Sequence, residues 1–401
     1  MRSKPDSCAG CSCQSHGTDF SAVEGTGSSG VMLVGEASGE HEQREGTPFV
    51  PWAPAGGVLE RTLRRMGLDR QQLSVTNVVR CRPRNNWLDG APWEYSAINH
   101  CRGNLDVAIA ERRPKCIVAL GGIACRELTG LAGDAQGVTH LAGYVLPGPR
   151  GIPVVPNFHP SYLRRGKSSH QGVFARILQR AVNIARGTDI AYRWNVDPEG
   201  GADALALGYT TAPTVAFVDD YSRRVLGNPQ LTVGYDLETS ESASLDEDAR
   251  EGFADTDIRL VQFAAEGLGA VAIPWLPEFL PAVTAILRSP NQKCGHNVWL
   301  FDNKVLRAAG SRDGRDYTPR GVIHDTLAMF HHWQPDLPAH LQFAASFVQF
   351  PFPWKHLAGS HIAFYGCCDA DATLRLFGML ERTLKRDGLW DDAGYPAEVT
   401  A

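Results

Sequence analysis

Apolar and polar positions change period along the chain, and the changes mark its elements. Residues 31–34 are a continuous apolar run bounded by glycine, the pattern of a strand buried on both faces, so a strand is expected over 31–35. Residues 57–67 (GVLERTLRRMG) put Leu59, Leu63 and Met66 on one helical face. Residues 73–80 (LSVTNVVR) are rich in β-branched side chains and read as a strand. A helix over 97–112, a fully buried strand over 115–121 and a helix over 122–131 follow. A strand over 152–157 and a helix over 172–186 complete the series. Alternating strands and helices predict a parallel sheet covered on both faces, with function gathered at the carboxyl ends of the strands. Three segments stand there: GEASGE after Val34, NVVRCRPR after Val75 and FHPSYLRR after Val155.

Between residues 187 and 229 Gly, Pro, Asp and Ala rise and no long period survives, so a linker with some local order is expected over 191–229. It separates a domain over 1–190 from one over 230–390. The second domain is expected to have strands over 231–237, 258–265 and 269–274, and helices near 276–288, 298–309 and 367–386. No internal repeat appears, and 401 residues suit two or three domains.

The composition, 43% hydrophobic and 21% charged, is that of a soluble globular protein, and no stretch is apolar enough to span a bilayer. Cysteines rather than a hydrophobic signal core stand near the N-terminus, so a cytoplasmic location is expected. The net charge of −5 hides an asymmetry. Residues 1–190 hold 22 Lys and Arg against 16 Asp and Glu, whereas the remainder holds 17 against 28. A basic first half suits a polyanion such as nucleic acid, and an acidic second half can hold divalent ions.

The segment GEASGEHEQREGTPFV (35–50) crowds Glu36, Glu40, Glu42 and Glu45 into a glycine-containing loop that closes on Phe49. Phe49 offers a face for a base extruded from DNA, and the Asn77 amide can pair with the donor–acceptor edge of one pyrimidine and reject another. His159 can donate to an oxygen that gains charge as a glycosidic bond breaks. Arg164, Arg165 and Lys167 follow as phosphate contacts. GEASGEHEQREGTPFV, VTNVVRCRPRNN, PKCIVALGGIA and HPSYLRR, in this order over about residues 5–185, resemble the motifs of family 4-type uracil-DNA glycosylases. The resemblance implies that Phe49 stacks on uracil, that Asn77 reads its edge and that His159 supports the departing uracil anion. Glu36 and Glu42 are the carboxylates best suited to position water or stabilise a cationic sugar. Three departures stand out: Ser38 replaces the family's Pro, Gln43 replaces an acid, and 51–57 (PWAPAGG) lengthens a short turn. They bear on rate and on the range of accepted bases.

Cys8-x-x-Cys11, Cys81 and Cys101 are two near and two distant thiolates, a set that suits a 4Fe–4S cluster or a structural zinc. Spacing does not choose between them; the glycosylase resemblance implies the cluster. Cys13 replaces Cys11 if the loop is register-shifted, and Cys116 reads as a packed thiol in a strand.

In VGYDLET (233–239), Asp236 and Glu238 point to one face of a strand and can cradle a divalent ion. Asp302 lies in a helical run, and Tyr365 stands one helical turn before Asp369 in YGCCDADATLRLF. Four carboxylates and a tyrosine are the groups two-metal phosphodiester hydrolysis needs. Residues 230–388 resemble the DEDD-type 3′–5′ exonuclease domain of family A DNA polymerases, in its tyrosine-bearing branch, which implies an RNase H-like fold. The resemblance implies Asp236, Glu238, Asp302 and Asp369 as ligands of two Mg²⁺ or Mn²⁺, Tyr365 as the residue orienting water, and Asn297 at the strand terminus. Asp371 competes with Asp369 by position, and spacing from Tyr365 favours Asp369. Asp325 is expected to be structural. A polymerase domain, which needs about 400 further residues, is not expected. The expected whole is an α/β enzyme that excises uracil and trims 3′ ends, its partners DNA and a separately encoded DNA polymerase. A non-catalytic uracil-binding module that delivers DNA to the nuclease is the alternative, and an RNA exonuclease with a DNA-like front domain is a second.

Overall fold

The computed structural model of the chain describes residues 4–13, 20–131, 137–164, 170–189, 206–240, 253 and 256–390. It divides into two units, Met1–Trp194 and Asn195–Ala401. Among the described residues no helix is long and apolar enough to cross a membrane.

The first unit is built on strands β1 (Val31–Ala37), β2 (Ser74–Val79), β3 (Cys116–Leu120), β4 (Leu146–Pro147) and β5 (Pro153–Asn157). Their order in the sheet is β2-β1-β3-β5-β4, all parallel except the short edge strand β4. Every residue of β2 and β3 is buried, as a sheet covered on both faces requires. The covering helices include α2 (Pro54–Arg65), α3 (Glu94–Arg112), α4 (Gly122–Thr129) and α6 (Gln171–Arg186), with the short α1 (Glu40–Glu45) and α5 (Val138–Leu141) between them. Helix α3 packs on β2, α4 on β1 and β3, and α6 on β3 and β5. The register pairs Gly35 with Asn77 and Leu120 with Asn157, so the carboxyl ends of the central strands finish level with one another.

The acidic loop expected after β1 contains a helix. Gly39 precedes α1, and Glu42 reaches back to the Gly39 N–H in a capping-box arrangement. Helix α2 starts three residues before the periodic pattern, because Pro54 suits a first helical position.

The second unit carries a sheet in the order β11-β10-β7-β8-β9-β6. Its strands are β6 (Tyr209–Thr210), β7 (Val233–Thr239), β8 (Ile258–Ala265), β9 (Gly269–Pro274), β10 (Lys293–Gly295) and β11 (Ile323–Asp325). Strands β7, β8 and β9 form an antiparallel meander, and β10 and β11 join β7 in parallel. In the order β9-β8-β7-β10-β11, β8 alone runs antiparallel to the other four strands. The helix Ile362–Arg386 packs across β7, β8, β9 and β10. Gly234 permits this closeness, because a Cβ there would stand 2.7 Å from the Ala370 carbonyl oxygen.

Two sequence expectations change. Of the linker placed at 191–229, residues 191–205 lie outside the described residues, and 206–229 belong to the second unit's fold. Tyr209 and Thr210 extend the sheet beside β9, and Val218, Tyr221 and Val225 of the helix Val215–Leu226 are buried in its core. The helix is only 12 residues long and follows a Gly/Pro-rich stretch, so its apolar spacing is diluted in a wider window. The helix read over 298–309 runs instead from Asp302 to Asp313, which puts Asp302 in its first turn.

Candidate functional site

At the carboxyl ends of the first unit's strands lies a cavity of about 720 Å³, and Glu36, Ser38, Glu42, Phe49, His159 and Arg164 are among its lining residues. Glu36 leaves β1 toward the start of α4, where its Oε1 accepts the Ile123 N–H at 3.3 Å. Gly121 makes this approach possible: its φ is +102°, and a Cβ there would collide with the Glu36 carboxylate. Glu42 accepts from the N–H groups of both Gly39 and Phe49, so this carboxylate pins the loop that carries Phe49. Burial raises the pKa of both carboxyls, and the N–H bonds oppose the shift.

Phe49 is held at φ +47°, a strained conformation for a side-chain-bearing residue, with its ring buried. Its ring centroid lies 5.5 Å from that of His159. The His159 Nδ1 accepts the Ser161 N–H at 3.2 Å and sits 2.7 Å from Ser161 Oγ. An accepting Nδ1 leaves the proton of a neutral imidazole on Nε2, which makes Nε2 a donor.

Asn77 is fully buried in β2 and is not part of the cavity lining. It lies one layer behind: Nδ2 donates weakly, at 3.5 Å, to the Ser38 hydroxyl, which does line the cavity. Ser38 Oγ also lies 3.0 Å from Ser21 Oγ and 3.3 Å from the Arg80 carbonyl oxygen. Asn77 Oδ1 is buried without a hydrogen-bond partner. A buried amide oxygen left unpaired costs about 1–3 kcal/mol, which points to a ligand donor. Gly35, the register partner of Asn77, is the residue that sequence reasoning missed. A Cβ there would collide with Asn77 Oδ1 and stand 2.5 Å from Phe49 Cζ. Gly35→Ala is therefore expected to displace both side chains and destabilise the fold by about 1–3 kcal/mol, as overpacking does; thermal unfolding measures this. Arg164 is exposed at the cavity rim, while Arg165 and Lys167 lie outside the described residues. Trp87 also lines the cavity, half-exposed, behind Asn85 and Asn86, which both adopt φ +56°.

Cys8, Cys11, Cys13, Cys81 and Cys101 are all buried and near one another. Burial, reinforced by neighbouring thiolates, pushes Cys13 and Cys101 up to about 12 and Cys81 to about 11. Such thiols are protonated at neutral pH, and a bound metal would favour their ionised form. Cys13 is as buried as the four cysteines read from spacing, so five thiols gather here. Cys116 lies buried within β3, its Sγ 3.9 Å from the Ile117 carbonyl oxygen.

In the second unit, ligand oxygens of Asp236, Glu238 and Asp369 all lie within 4.8 Å of one another. Asp236 and Glu238 share a face of β7. Tyr365 and Asp369 stand one turn apart in the helix Ile362–Arg386. Asp302 sits beside this trio rather than within it, and its buried Oδ1 has no partner. Asp371 is turned elsewhere, bonding Tyr209 Oη at 2.7 Å and Arg375. Asp325 caps the helix Thr326–Trp333, accepting from Leu327, Asn297 and Trp299 N–H groups. Asn297 is thereby fixed through its backbone, at φ +69°.

Burial and mutual repulsion raise the pKa of Asp236 far above its ordinary value, Glu238 to about 8 and Asp302 to about 7. Between about pH 4 and 8 the metal-free folded state then binds more protons than the unfolded chain, so folding stability falls as pH rises. Thermal unfolding in chelator is expected to show a lower melting temperature at pH 8 than at pH 5, and saturating Mg²⁺ is expected to flatten the difference.

Residues 23–181 match the uracil DNA glycosylase superfamily. The type-4 uracil-DNA glycosylase of Thermotoga maritima is 35% identical over 162 residues, covering 40% of this chain and 80% of that one. That of Sulfurisphaera tokodaii is 36% identical over 160 residues, 39% of this chain and 70% of that one. Among solved structures, the catalytic core of RRP6 from Trypanosoma brucei has a TM-score of 0.35 at 17% identity, covering 45% of this chain and 48% of that one. The chain thus spans about half the length of that structure.

Proposed function

Because the chain belongs, through its first unit, to the uracil DNA glycosylase superfamily, we propose that this unit excises uracil from DNA by hydrolysing the N-glycosidic bond. The observation that carries the residue assignment is the unpaired Oδ1 of Asn77. Uracil presents an N3–H donor beside its O4 acceptor. Asn77 is fully buried behind Ser38, so the base must displace the weak Ser38 contact to reach it; Oδ1 would then accept the first and Nδ2 would donate to the second, whereas cytosine presents the reverse pattern. Phe49, pinned by Glu42, stacks on the extruded base. As the bond to C1′ breaks, negative charge gathers on the uracil O2, and His159 Nε2–H stabilises it. Glu36 and Glu42 hold carboxylates on the cavity wall, where negative charge favours an oxocarbenium-like sugar and an attacking water. Arg164 contacts backbone phosphate. Water adds to C1′, leaving free uracil and an abasic site in an uncut strand.

Four of the buried thiols, Cys8, Cys11, Cys81 and Cys101, would hold a 4Fe–4S cluster, with Cys13 an adjoining fifth thiol. The cluster's role would be structural: it would tie the N-terminal segment to Cys81, just past the end of β2, and to Cys101 in α3.

A second activity is favoured by the trio Asp236, Glu238 and Asp369, with the unpaired Oδ1 of Asp302 beside it. We infer that this site hydrolyses phosphodiester bonds at DNA 3′ ends. Bound Mg²⁺ or Mn²⁺ would supply the hydroxide and stabilise the leaving oxygen. Asp236, Glu238, Asp302 and Asp369 would hold the ions, and Tyr365 would orient the attacking water. Asn297, fixed at the end of β10, would contact the strand terminus. The pairing of a repair activity with 3′-end trimming suits a DNA polymerase as partner.

A gel assay tests the reading: full-length protein is incubated with 5′-labelled uracil-containing DNA, single- and double-stranded, and alkali reveals abasic sites. Alkali-labile product at uracil is the expected result. Binding without such product would favour a non-catalytic module that delivers DNA to the nuclease.

A further inference from the structure

The acid cluster of the second unit already holds a cation of its own. Lys355 lies in a short turn, Lys355–Leu357, directly after the buried Trp354. Its Nζ donates to Asp369 Oδ1 at 2.9 Å, to Asp369 Oδ2 at 2.8 Å and to Tyr365 Oη at 2.7 Å. Asp369 Oδ1 also accepts the Trp354 indole N–H at 2.6 Å. The ammonium thus faces three acceptors, and both oxygens of the carboxylate that completes the metal-binding trio are engaged. The positive charge reaches further, favouring the ionised forms of Asp236 and Glu238. A divalent ion held by Asp236, Glu238 and Asp369 needs a lone pair of Asp369 that the ammonium now faces, and it must enter beside a like charge.

We propose that Lys355 is the internal counter-cation of this acid cluster: it holds Tyr365 and Asp369 in register before metal arrives, and a divalent ion must displace it from Asp369. This rests on the metal-site reading above. The ion and the ammonium then compete for one carboxylate, and occupancy of the site depends on how tightly Lys355 holds on. Once displaced from Asp369, the ammonium keeps its bond to the Tyr365 phenol, so the residue that orients water stays placed while metal loads. Lys355 is in this sense a positioning residue.

The test is Mn²⁺ titration of the full chain by electron paramagnetic resonance, with wild type, Lys355→Gln and Lys355→Arg. Gln keeps a donor for Asp369 but removes the charge, so its Mn²⁺ affinity is expected to rise about tenfold or more. Arg keeps the charge and is expected to bind like wild type. Equal or weaker binding by Lys355→Gln overturns the proposal while leaving the metal site intact. No Mn²⁺ binding by wild type overturns both this inference and the metal-site reading. A second measurement needs no variant: amine-reactive labelling of Lys355, read by mass spectrometry, is expected to rise when Mg²⁺ is added to wild type. Unchanged or reduced labelling contradicts displacement.

Discussion

Asp236→Ala is expected to lower 3′-end degradation by at least about 10³-fold while uracil excision by the same preparation continues at the wild-type rate. Asp236 belongs to the trio whose oxygens lie within 4.8 Å of one another, and two carboxylates do not hold a divalent ion as three do. The carboxyl is half-buried, and desolvation, reinforced by repulsion from Asp369, Asp302 and Glu238, holds its pKa far above the ordinary range. Removing it relieves repulsion, so the variant is expected to be at least as stable as wild type in chelator. A matched melting temperature, together with lost 3′-end degradation, separates a lost ligand from a lost fold. Gel analysis of a 3′-recessed and a single-stranded substrate in Mg²⁺ gives the rate.

Asn77→Ala is expected to do the converse, lowering uracil excision by at least about 10²-fold through loss of two hydrogen bonds to the base. Its effect on folding is expected to be small, within about 1–2 kcal/mol. The alanine removes a buried oxygen that has no protein partner, so little native bonding is forfeited. Single-turnover excision assays and thermal unfolding of the same sample check both halves of the expectation, and 3′-end degradation is the internal control.

The strand–helix alternation of the first half was readable because a sheet covered on both faces demands unbroken apolar runs, and residues 31–34 and 116–120 supply them. The acidic motif was legible as a segment at a strand's carboxyl end, but not as the helix Glu40–Glu45, whose six residues are too few to show a period. Glu42 shows what residue type alone leaves out: both of its oxygens take backbone N–H groups, and only the folded loop brings Phe49 back to it. Gly35 and Gly121 carry no chemistry in the sequence; their importance lies in the side chains that approach them from elsewhere in the chain. In the second half, Asp236-x-Glu238 and the Tyr365–Asp369 spacing were visible because strand and helix geometry put each pair on one face. Lys355 was not visible, because a lysine in PWKHL reads as surface charge until the turn folds it over Asp369. The helix Val215–Leu226 was missed for a similar reason: its partners in the core are supplied by distant segments.

The claim on which the rest depends is that the cavity in front of Asn77 breaks the bond between uracil and its sugar without a dissociable metal. The direct measurement is release of free uracil from a single-stranded uracil-containing oligonucleotide by the full chain in excess chelator, followed by chromatography. One uracil released per uracil site is expected from wild type and from Asp236→Ala, and release at least about 10²-fold slower from Asn77→Ala. Equal release by wild type and Asn77→Ala, or no release in chelator, would contradict it.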